Sequence, residues 1–319
     1  MLSPRLVALS DIIPALGVTS RNVRAALLES FQAEPSDMRK DPGISDADSN
    51  KAGPELFDGQ AGFFDRRTGL PDDCCRAVAK KILEIGEARA DSLVVEVGCG
   101  TGQIGQWVKA QARYVGFDLS LGMLREFQRR LGARQGRLPL VQADANATWP
   151  FAAGAAGVIF SSRTVHLLER EHVAAEVFRL ASPGGATLIL GRVERTPGSV
   201  KERMAQEMNE RLRRRGLKGR RGERRSRNLF ESCERRGGEI LEPVPAAAWK
   251  VSASPRQSLD SWRSLAGLGG IPLSAETRAE VLEELEVWAA EAFGGLDRVF
   301  EFEETYVLSP LRVPPVRKA

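Results

Sequence analysis

The feature that most constrains this chain is a strand-like run that leads directly into a glycine-rich turn. Residues 93–97 are apolar apart from Glu96 and include three β-branched valines, and residues 98–102 (Gly-Cys-Gly-Thr-Gly) follow without a spacer. A short apolar run that ends at glycine is typical of a buried strand. Glycine lets the backbone turn sharply and approach a ligand where a Cβ would collide. The pattern predicts a strand–turn–helix unit with a ligand at the carboxyl end of the strand.

Strands and helices are predicted to alternate around this turn. The predicted strands are 93–97, 113–117, 139–143, 157–161 and 186–193, and the predicted helices are 76–88, 104–112, 120–131 and 170–181. Later come strands at 239–244, 249–252 and 299–308 and a helix at 274–293. Such alternation implies right-handed crossovers and a parallel sheet covered by helices on both faces. We expect a Rossmann-like, doubly wound α/β fold with a mostly parallel seven-stranded sheet, a C-terminal antiparallel strand and a helical lid insertion.

The domain organisation follows from composition along the chain. Residues 1–60 are predicted to be an N-terminal extension with one short helix at 20–31 and a flexible linker, because 35–60 are rich in Pro, Gly, Ser, Asp and Lys. The packed domain is expected at 61–313. Within it, residues 194–238 follow the fifth strand and form the basic lid insertion.

Composition excludes several protein classes. The chain has 319 residues, of which 42% are apolar and 28% charged, as in an ordinary globular protein. No stretch approaches the roughly 20 apolar residues that span a bilayer, so no membrane partner is predicted. No secretory signal is recognised, and a cytoplasmic location is expected, although the Arg-rich start leaves organellar targeting open. Four cysteines without a CxxC pair, and two histidines, predict neither a disulfide framework nor a metal site.

Positive charge is concentrated in one segment. Residues 211–227 hold ten Lys or Arg and one acid, a net charge of +9. Subtracting this from the net +4 of the whole chain leaves −5 for the remainder. A general affinity for nucleic acid therefore does not follow from the overall charge.

The spacing of the glycines indicates which ligand the turn can hold. A dinucleotide fingerprint needs GxGxxG, but here the spacing is GxGxG and Gln103 stands at the third position of that pattern. A Walker A loop needs GK[ST], which is absent. Glu96, just before the turn, disfavours a diphosphate and suits a cationic ligand. S-adenosylmethionine carries a sulfonium and an ammonium, so it fits better than NAD or ATP.

Two further acids lie at neighbouring strand ends. Asp118 ends the second strand, 20 positions after the first glycine of the turn, where an acid takes two ribose hydroxyls. Asp144 follows the third strand and can accept a hydrogen bond from the adenine amino group, while Ala145 offers a backbone donor. Leu119 and Met123 are placed to pack against adenine and ribose.

Five motifs in order resemble the class I S-adenosylmethionine-dependent methyltransferases, especially their small-molecule branch. They are EVGCGTG (96–102), GFDLSLGML (116–124), QADA (142–145), GVIFSSRTVHLL (157–168) and VFRLASPGGATLIL (177–190). The resemblance implies that the glycine loop holds the methionine part, that the second-strand acid holds the ribose and that the third-strand acid meets adenine. The segment 63–71 is similar to one that some members place over the cofactor. The cofactor-binding candidates are Glu96, Gly98, Cys99, Gly100, Gly102, Asp118, Leu119, Met123, Asp144, Ala145 and Ser161.

Each candidate also has a structural interpretation. The glycine loop can be a turn without a ligand, and the two aspartates can be strand-end caps. Cys99 is better explained as a small packing residue, contributing through its backbone, than as a nucleophile.

The sequence gives fewer indications of the residues that bind and activate the methyl acceptor. Methyl transfer needs alignment of nucleophile, methyl and sulfur, and a base only when the nucleophile is protonated. His166, a few residues beyond the fourth strand, is the candidate catalytic base, because its ordinary pKa range suits a phenol or carboxylic acid. The alternative is a histidine that makes a structural hydrogen bond. Arg163 can bind an acidic acceptor or be solvated.

Three hypotheses follow. The first is a methyltransferase acting on a small-molecule acceptor, with O-methylation favoured. The second is an RNA or protein methyltransferase that uses the Arg-rich segment 211–227, although that segment lacks the aromatic residues that stack on bases. The third is a catalytically silent binding or scaffold protein that retains the fold. The sequence does not fix the oligomeric state.

Overall fold

A computed structural model describes residues 58, 61–88, 91–132, 139–217, 222–265 and 267–315. The side chains of residues 63, 66–68 and 222–225 lie outside this description. Apart from Asp58, the predicted N-terminal extension, with its helix at 20–31, also lies outside the described residues.

The described part of the chain alternates strands and helices from Leu93 to Arg195, except that a loop connects the third strand to the fourth, as the sequence predicts. The strands are β1 (Leu93–Val97), β2 (Arg113–Asp118), β3 (Leu140–Gln142), β4 (Val158–Ser162), β5 (Ala186–Arg195), β6 (Glu239–Ile240), β7 (Val244–Ala253), β8 (Gly267–Leu268), β9 (Ile271–Pro272) and β10 (Phe300–Val313). The α-helices are α1 (Ala61–Thr68), α2 (Asp72–Ile85), α3 (Gly105–Lys109), α4 (Leu121–Leu131), α5 (Arg170–Leu180), α6 (Val200–Arg214), α7 (Gly222–Glu234), α8 (Pro255–Arg263) and α9 (Ala275–Phe293). None of the described helices is long and apolar enough to cross a bilayer.

The main sheet has the order β3-β2-β1-β4-β5-β10, with β6 and β7 both on the far side of β10. Strands β1 to β5 pair in parallel, and β10 runs antiparallel to β5. β6 pairs with residues 311–312 of β10 and β7 with residues 300–308, so these two act as one interrupted strand. Eight strands thus fill seven positions. The predicted mostly parallel sheet with a C-terminal antiparallel strand is confirmed.

Helices cover both faces of the sheet, since every residue of the central strand β1 is buried. Val95 and Val97 point to the face where α5 and α7 pack, in a cluster with Phe117. Val94 points to the opposite face, where it packs with residues of α2 and α4. Alternate side chains of one strand therefore belong to two different cores, which is the expected pattern for a doubly wound sheet.

A third apolar cluster stands apart from the sheet faces. Helices α6, α8 and α9 pack together around Met204, Leu259 and Leu285, joined by Phe300 and Phe302 from the start of β10. The long strands β5, β7 and β10 carry this helical layer at the carboxyl end of β5. The predicted lid insertion is consequently divided, because α6 joins the helical layer while Phe230 of α7 packs in the sheet core beside α5.

Some element bounds differ from those predicted. α2 begins four residues early, because Pro71 stands at its N-cap and Asp72 and Asp73 occupy the first turn, where acids are favoured. β10 continues through Pro310, whose carbonyl accepts the Leu241 N–H at 3.0 Å. Leu241 belongs to the break between β6 and β7, and an interrupted ladder is a place where a strand tolerates proline.

Candidate functional site

The glycine turn after β1 places three glycines in the left-handed region. Gly98, Gly100 and Gly102 have φ values of 67°, 54° and 76°. A Cβ on Gly98 would collide with Thr164, and one on Gly102 would collide with the Phe127 ring. A Cβ on Gly100 would meet nothing within 4 Å. Two glycines therefore let the turn pack against the protein, and the middle one leaves an open cradle.

Asp118 lies beside this cradle at the end of β2. Its Oδ2 accepts the Gly100 N–H at 2.8 Å and its Oδ1 accepts the Ser120 N–H at 2.9 Å. Burial raises the pKa of Asp118, and the two backbone donors oppose that shift. A carboxylate oxygen has two lone-pair sites, so each oxygen retains capacity for a further donor. The position and chemistry of Asp118 fit a pair of ribose hydroxyls.

Asp144 lies at the same edge of the sheet, just after β3. The Ala143 N–H donates to the Asp118 carbonyl at 3.0 Å and so ties the two strand ends together. The Asp144 side chain is exposed, and its Oδ1 accepts the Asn146 N–H at 2.8 Å. Ala145 beside it is buried. The structure thus brings both predicted acids to one edge.

Leu119 and Met123 flank the same edge. Leu119 is half-buried, and its carbonyl accepts from the Gln142 side chain at 3.2 Å. Met123 is buried in the first turn of α4, where its N–H donates to the N-cap Ser120 at 3.1 Å. Asp58 binds this helix start from outside, accepting from the Ser120 hydroxyl and from the Gly122 N–H. The predicted start of α4 at Ser120 is confirmed.

Two other predicted residues are buried close to the turn. The Ser161 hydroxyl, near the end of β4, donates to the Val97 carbonyl at 2.9 Å. Cys99 is a free, buried thiol whose pKa is raised by burial. A buried thiol of this kind is chemically inert, in agreement with the packing interpretation. A direct role for either residue in cofactor binding stays a prediction.

Glu96 lies beneath the turn, with its side chain in the interior. It is 3% exposed, and its Oε2 accepts the Tyr114 hydroxyl at 2.5 Å. Burial raises the pKa of Glu96 to about 8, with the Asp118 charge adding to the shift and the Tyr114 hydrogen bond opposing it. Sequence reasoning missed Tyr114, because nothing in the motif indicates which β2 side chain meets Glu96.

Helix α1 lies over the turn and is held there by Asp65. The Asp65 Oδ1 accepts from the Thr101 hydroxyl at 2.6 Å and from the Gln103 side chain at 2.5 Å. Arg130 of α4 pairs with the other Asp65 oxygen and donates to the Thr101 carbonyl at 3.0 Å. The family resemblance of segment 63–71 predicts its position, whereas the role of Asp65 is a finding of the structure.

His166 lies in a short 3₁₀ turn, Val165–Leu167, directly after β4. It is half-buried. The preceding Thr164 contacts the glycine turn, since its hydroxyl donates to the Gly98 carbonyl at 3.3 Å. His166 is therefore two residues from a direct contact with the turn, and its catalytic role stays a prediction.

The residue that directly follows β4 has a strained backbone conformation. Arg163 has a φ of 57°, and its N–H donates to the Gly191 carbonyl at 3.2 Å. The Ser162 hydroxyl shares a hydrogen bond of 2.5 Å with the hydroxyl of Tyr306, which is fully buried. Left-handed backbone at a non-glycine residue is uncommon and concentrates at functional sites.

The described part of the Arg-rich segment is paired with acids. Arg211 and Arg215 of the α6 end contact Glu284 of α9, at 2.8 Å and 2.5 Å. Arg213 and Arg214 contact Glu210 one turn earlier, at 2.8 Å and 3.1 Å. Arg211 and Arg215 therefore connect α6 with α9, whereas Arg213 and Arg214 pair within α6 and stay largely exposed.

Comparison with known proteins identifies this region. The profile of a family described as "Methyltransferase domain" matches residues 94–185, from β1 to the residue before β5, which includes the glycine turn, both acids and His166. Residues 94–185 thus match a methyltransferase domain, and the curated relatives that the chain matches are named methyltransferases. The resemblance seen in the five motifs is thereby confirmed.

Two curated relatives support the family. The chain is 35% identical over 103 residues to a ubiquinone/menaquinone biosynthesis C-methyltransferase of Syntrophotalea carbinolica, covering 30% of this chain and 42% of that protein. It is 27% identical over 146 residues to a malonyl-[acyl-carrier protein] O-methyltransferase of Serratia marcescens, covering 45% and 54%. The chain thus spans about half the length of the curated relatives it matches.

A solved structure shares the fold. The [4+2]-cyclase SpnF superimposes with a TM-score of 0.50 at 17% identity, covering 84% of this chain and 97% of that one. The fold shared with that structure therefore extends well beyond the residues that the family profile matches. The open cradle at Gly100, with Asp118 beside it, fits S-adenosylmethionine.

Proposed function

We propose that this protein transfers the methyl group of S-adenosylmethionine to a small-molecule acceptor. The observation that carries the proposal is the single sheet edge that joins the open cradle at Gly100 to Asp118 and Asp144, in a domain of the methyltransferase family. In open α/β sheets this edge is where ligands bind. A cytoplasmic location is part of the proposal.

The chain's own residues hold and enclose the cofactor. The turn amides and Asp118 orient it, and Asp65 keeps α1 over the turn so that water is excluded. When bound, S-adenosylmethionine supplies an electrophilic methyl group. The remaining task is to align a nucleophile with that methyl, and alignment alone supplies much of the rate enhancement.

His166 is the residue proposed to accept a proton from the acceptor. It follows β4 beside Thr164, which contacts the turn, so it lies at the edge where the acceptor must approach. A histidine is suited to hydroxyl or carboxyl acceptors near neutral pH. O-methylation is the proposed reaction, and one relative is named an O-methyltransferase.

A small-molecule acceptor is supported by two features. Both curated relatives are named for small acceptors or for an acyl group on a carrier protein. The helical layer of α6, α8 and α9 stands at the carboxyl end of β5, on the same side as the cofactor edge, where it can cover a small acceptor.

The test is methyl transfer from labelled S-adenosylmethionine to matched phenols, carboxylic acids and quinols. We expect transfer to one acceptor class, and a loss of about 10² to 10⁴ in kcat for His166→Ala. His172→Ala is the matched control. His172 lies on α5, and its ring forms a hydrogen bond of 2.7 Å with the Ala147 carbonyl. Transfer to RNA or protein, with none to any small molecule, would reject the proposed acceptor class.

A silent or non-methylating protein is the second candidate function. It is favoured by the likeness to a structure named a [4+2]-cyclase, because one fold can host different chemistry. Cofactor binding without transfer to any acceptor class would support this candidate.

A further inference from the structure

The Glu96–Tyr114 pair is buried directly beneath the glycine turn. Both residues are 3% exposed, and the hydrogen bond between them is 2.5 Å long. Glu96 comes two residues before Gly98, and Tyr114 lies two residues before Gly116 on β2, at the strand's buried face. The pair joins the end of the first strand to its neighbour at the level where the cofactor turn begins.

Two glycines outside the turn motif make room for this pair. A Cβ on Gly105, the first residue of α3, would collide with both the Tyr114 hydroxyl and the Glu96 carboxylate. A Cβ on Gly116 would collide with the Tyr114 hydroxyl and with Cys99. The hydroxyl is therefore enclosed by β1, β2, the turn and the start of α3. All four elements determine where the turn amides point.

The surroundings of Glu96 disfavour a charge. The titratable groups that influence it are Tyr114 and Asp118 of β2, Cys99 of the turn and Tyr306 of β10. None of these carries a positive charge at neutral pH, and Asp118 is an acid. With its pKa at about 8, Glu96 is mostly uncharged at pH 7.

We propose that Tyr114 is a positioning residue for the cofactor site: its hydrogen bond fixes the Glu96 side chain in place, and Glu96, kept uncharged by its burial, supports the turn rather than serving as a counter-ion for the ligand's ammonium. This inference rests on the proposed function, because it concerns the same cofactor site. It gives Glu96 a role different from the one its place in the motif predicts.

Binding of S-adenosylhomocysteine by calorimetry tests the proposal. This probe keeps the ammonium and lacks the sulfonium. Titrations of wild type and Glu96→Gln from pH 6 to 7.5, in buffers of different ionisation enthalpy, give both affinity and proton release. We expect less than threefold change in affinity between the two proteins, a flat pH profile and no proton released by Glu96.

A counter-ion role predicts the opposite in each measurement. Wild type would then release close to one proton on binding, and its affinity would rise about tenfold per pH unit toward pH 8, because Glu96 would have to ionise. Glu96→Gln would lose at least tenfold in affinity. These results would overturn the inference while leaving cofactor binding, and so the proposed function, intact. A wild type that binds nothing would overturn both.

Tyr114→Phe tests the positioning role with a matched control. Removing the hydroxyl is expected to weaken S-adenosylhomocysteine binding about fivefold or more, because the turn loses its support. Tyr306→Phe removes another fully buried hydroxyl, the one bonded to Ser162, and is expected to keep the affinity. Equal affinities for the two variants would overturn the role of Tyr114. Should Tyr114→Phe not fold, the proton count and Glu96→Gln still decide the charge of Glu96.

Discussion

Gly100 separates the folding role of the turn from its binding role. Its φ of 54° resembles those of Gly98 and Gly102, but only its Cβ direction is open among these three. That open space is the cradle in which a ligand can approach the backbone.

Gly100→Ala is therefore expected to weaken binding much more than folding. The strain of a left-handed alanine costs about 1–2 kcal/mol of stability, while the added methyl group occupies the cradle. We expect at least a tenfold loss of S-adenosylmethionine affinity by calorimetry. Gly216→Ala is the matched control, since Gly216 has a φ of 73° and open space but lies at the end of α6. Equal losses of affinity in the two variants would refute the cradle.

Glu96 makes the stability of the free protein depend on pH. Its folded pKa of about 8 lies above the roughly 4.3 of an unfolded chain. The protonated form is thus favoured by folding, so this contribution is complete below the unfolded pKa and is lost as pH rises toward 8. Relative to wild type, Glu96→Gln is expected to gain stability between pH 5 and 8, with a slope approaching about 1.4 kcal/mol per pH unit.

Urea unfolding at pH 5.5, 7 and 8.5 measures that difference. Other groups titrate in both proteins, so the difference between them isolates Glu96. Parallel stability curves for the two proteins would show that Glu96 is charged in the folded state, against the account given above.

Individual site residues differ in how visible they are in sequence. The glycine turn, Asp118 and Asp144 stand at strand ends, where spacing along the chain fixes their position in space. Tyr114 and Asp65 could not be predicted in the same way, because their partners are 18 and 36 or more residues away in sequence. Such pairings depend on how strands and helices pack, which local patterns do not reveal.

Among the elements, α1 closes the cofactor site through polar contacts. Asp65 binds Thr101, Gln103 and Arg130, so one side chain connects α1 with both the turn and α4. α1 is short, and Ala61 is the apolar residue that is buried among its described side chains. Asp65 thus provides polar contacts that hold α1 over the turn.

Asp65→Asn is expected to weaken S-adenosylmethionine binding about fivefold to tenfold, with a small loss of stability. The change removes the charge that pairs with Arg130. It leaves an amide whose single oxygen cannot accept hydrogen bonds from Thr101, Gln103 and Arg130 together. Calorimetric titration of this variant is compared with Asp73→Asn, because the Asp73 side chain bonds its neighbour Cys74 on α2. Unchanged affinity in Asp65→Asn would show that α1 has no part in holding the cofactor.

Element prediction succeeded where apolar periodicity was strong and failed where charge dominated. Strands β1 and β4 and helix α9 agree with the predicted ranges within one residue. Helix α6 was missed as an individual helix, although Val200, Met204, Met208 and Leu212 repeat every four residues and are all buried. The arginines at its end favoured an interpretation as a solvated or nucleic-acid-binding segment. In the structure they pair with acids of α6 and α9.

At the scale of the whole molecule, a sheet domain and a helical layer are joined by long strands. Arg211 and Arg215 connect α6 to α9 through Glu284, and the Arg211 side chain is 13% exposed. Its Nε is buried without a hydrogen-bond partner among the described groups. The contact with Glu284 thus compensates a largely buried charge.

Glu284→Gln is expected to lower the free energy of unfolding by up to about 1 kcal/mol, without changing cofactor affinity. Glu283→Gln on the same helix, at an exposed position, is the control and is expected to be neutral. Urea unfolding and calorimetry measure the two quantities. A loss of cofactor affinity in Glu284→Gln would show that the helical layer communicates with the cofactor edge.

The central claim is that the edge formed by the glycine turn and Asp118 binds S-adenosylmethionine. Calorimetric titration of wild type and Asp118→Ala tests it most directly. The account predicts micromolar affinity for wild type, about −8 kcal/mol, and at least a tenfold loss in Asp118→Ala, which removes the acceptor for the ribose hydroxyls. Well-folded wild type that binds no S-adenosylmethionine, or a variant that binds it equally well, would contradict the account.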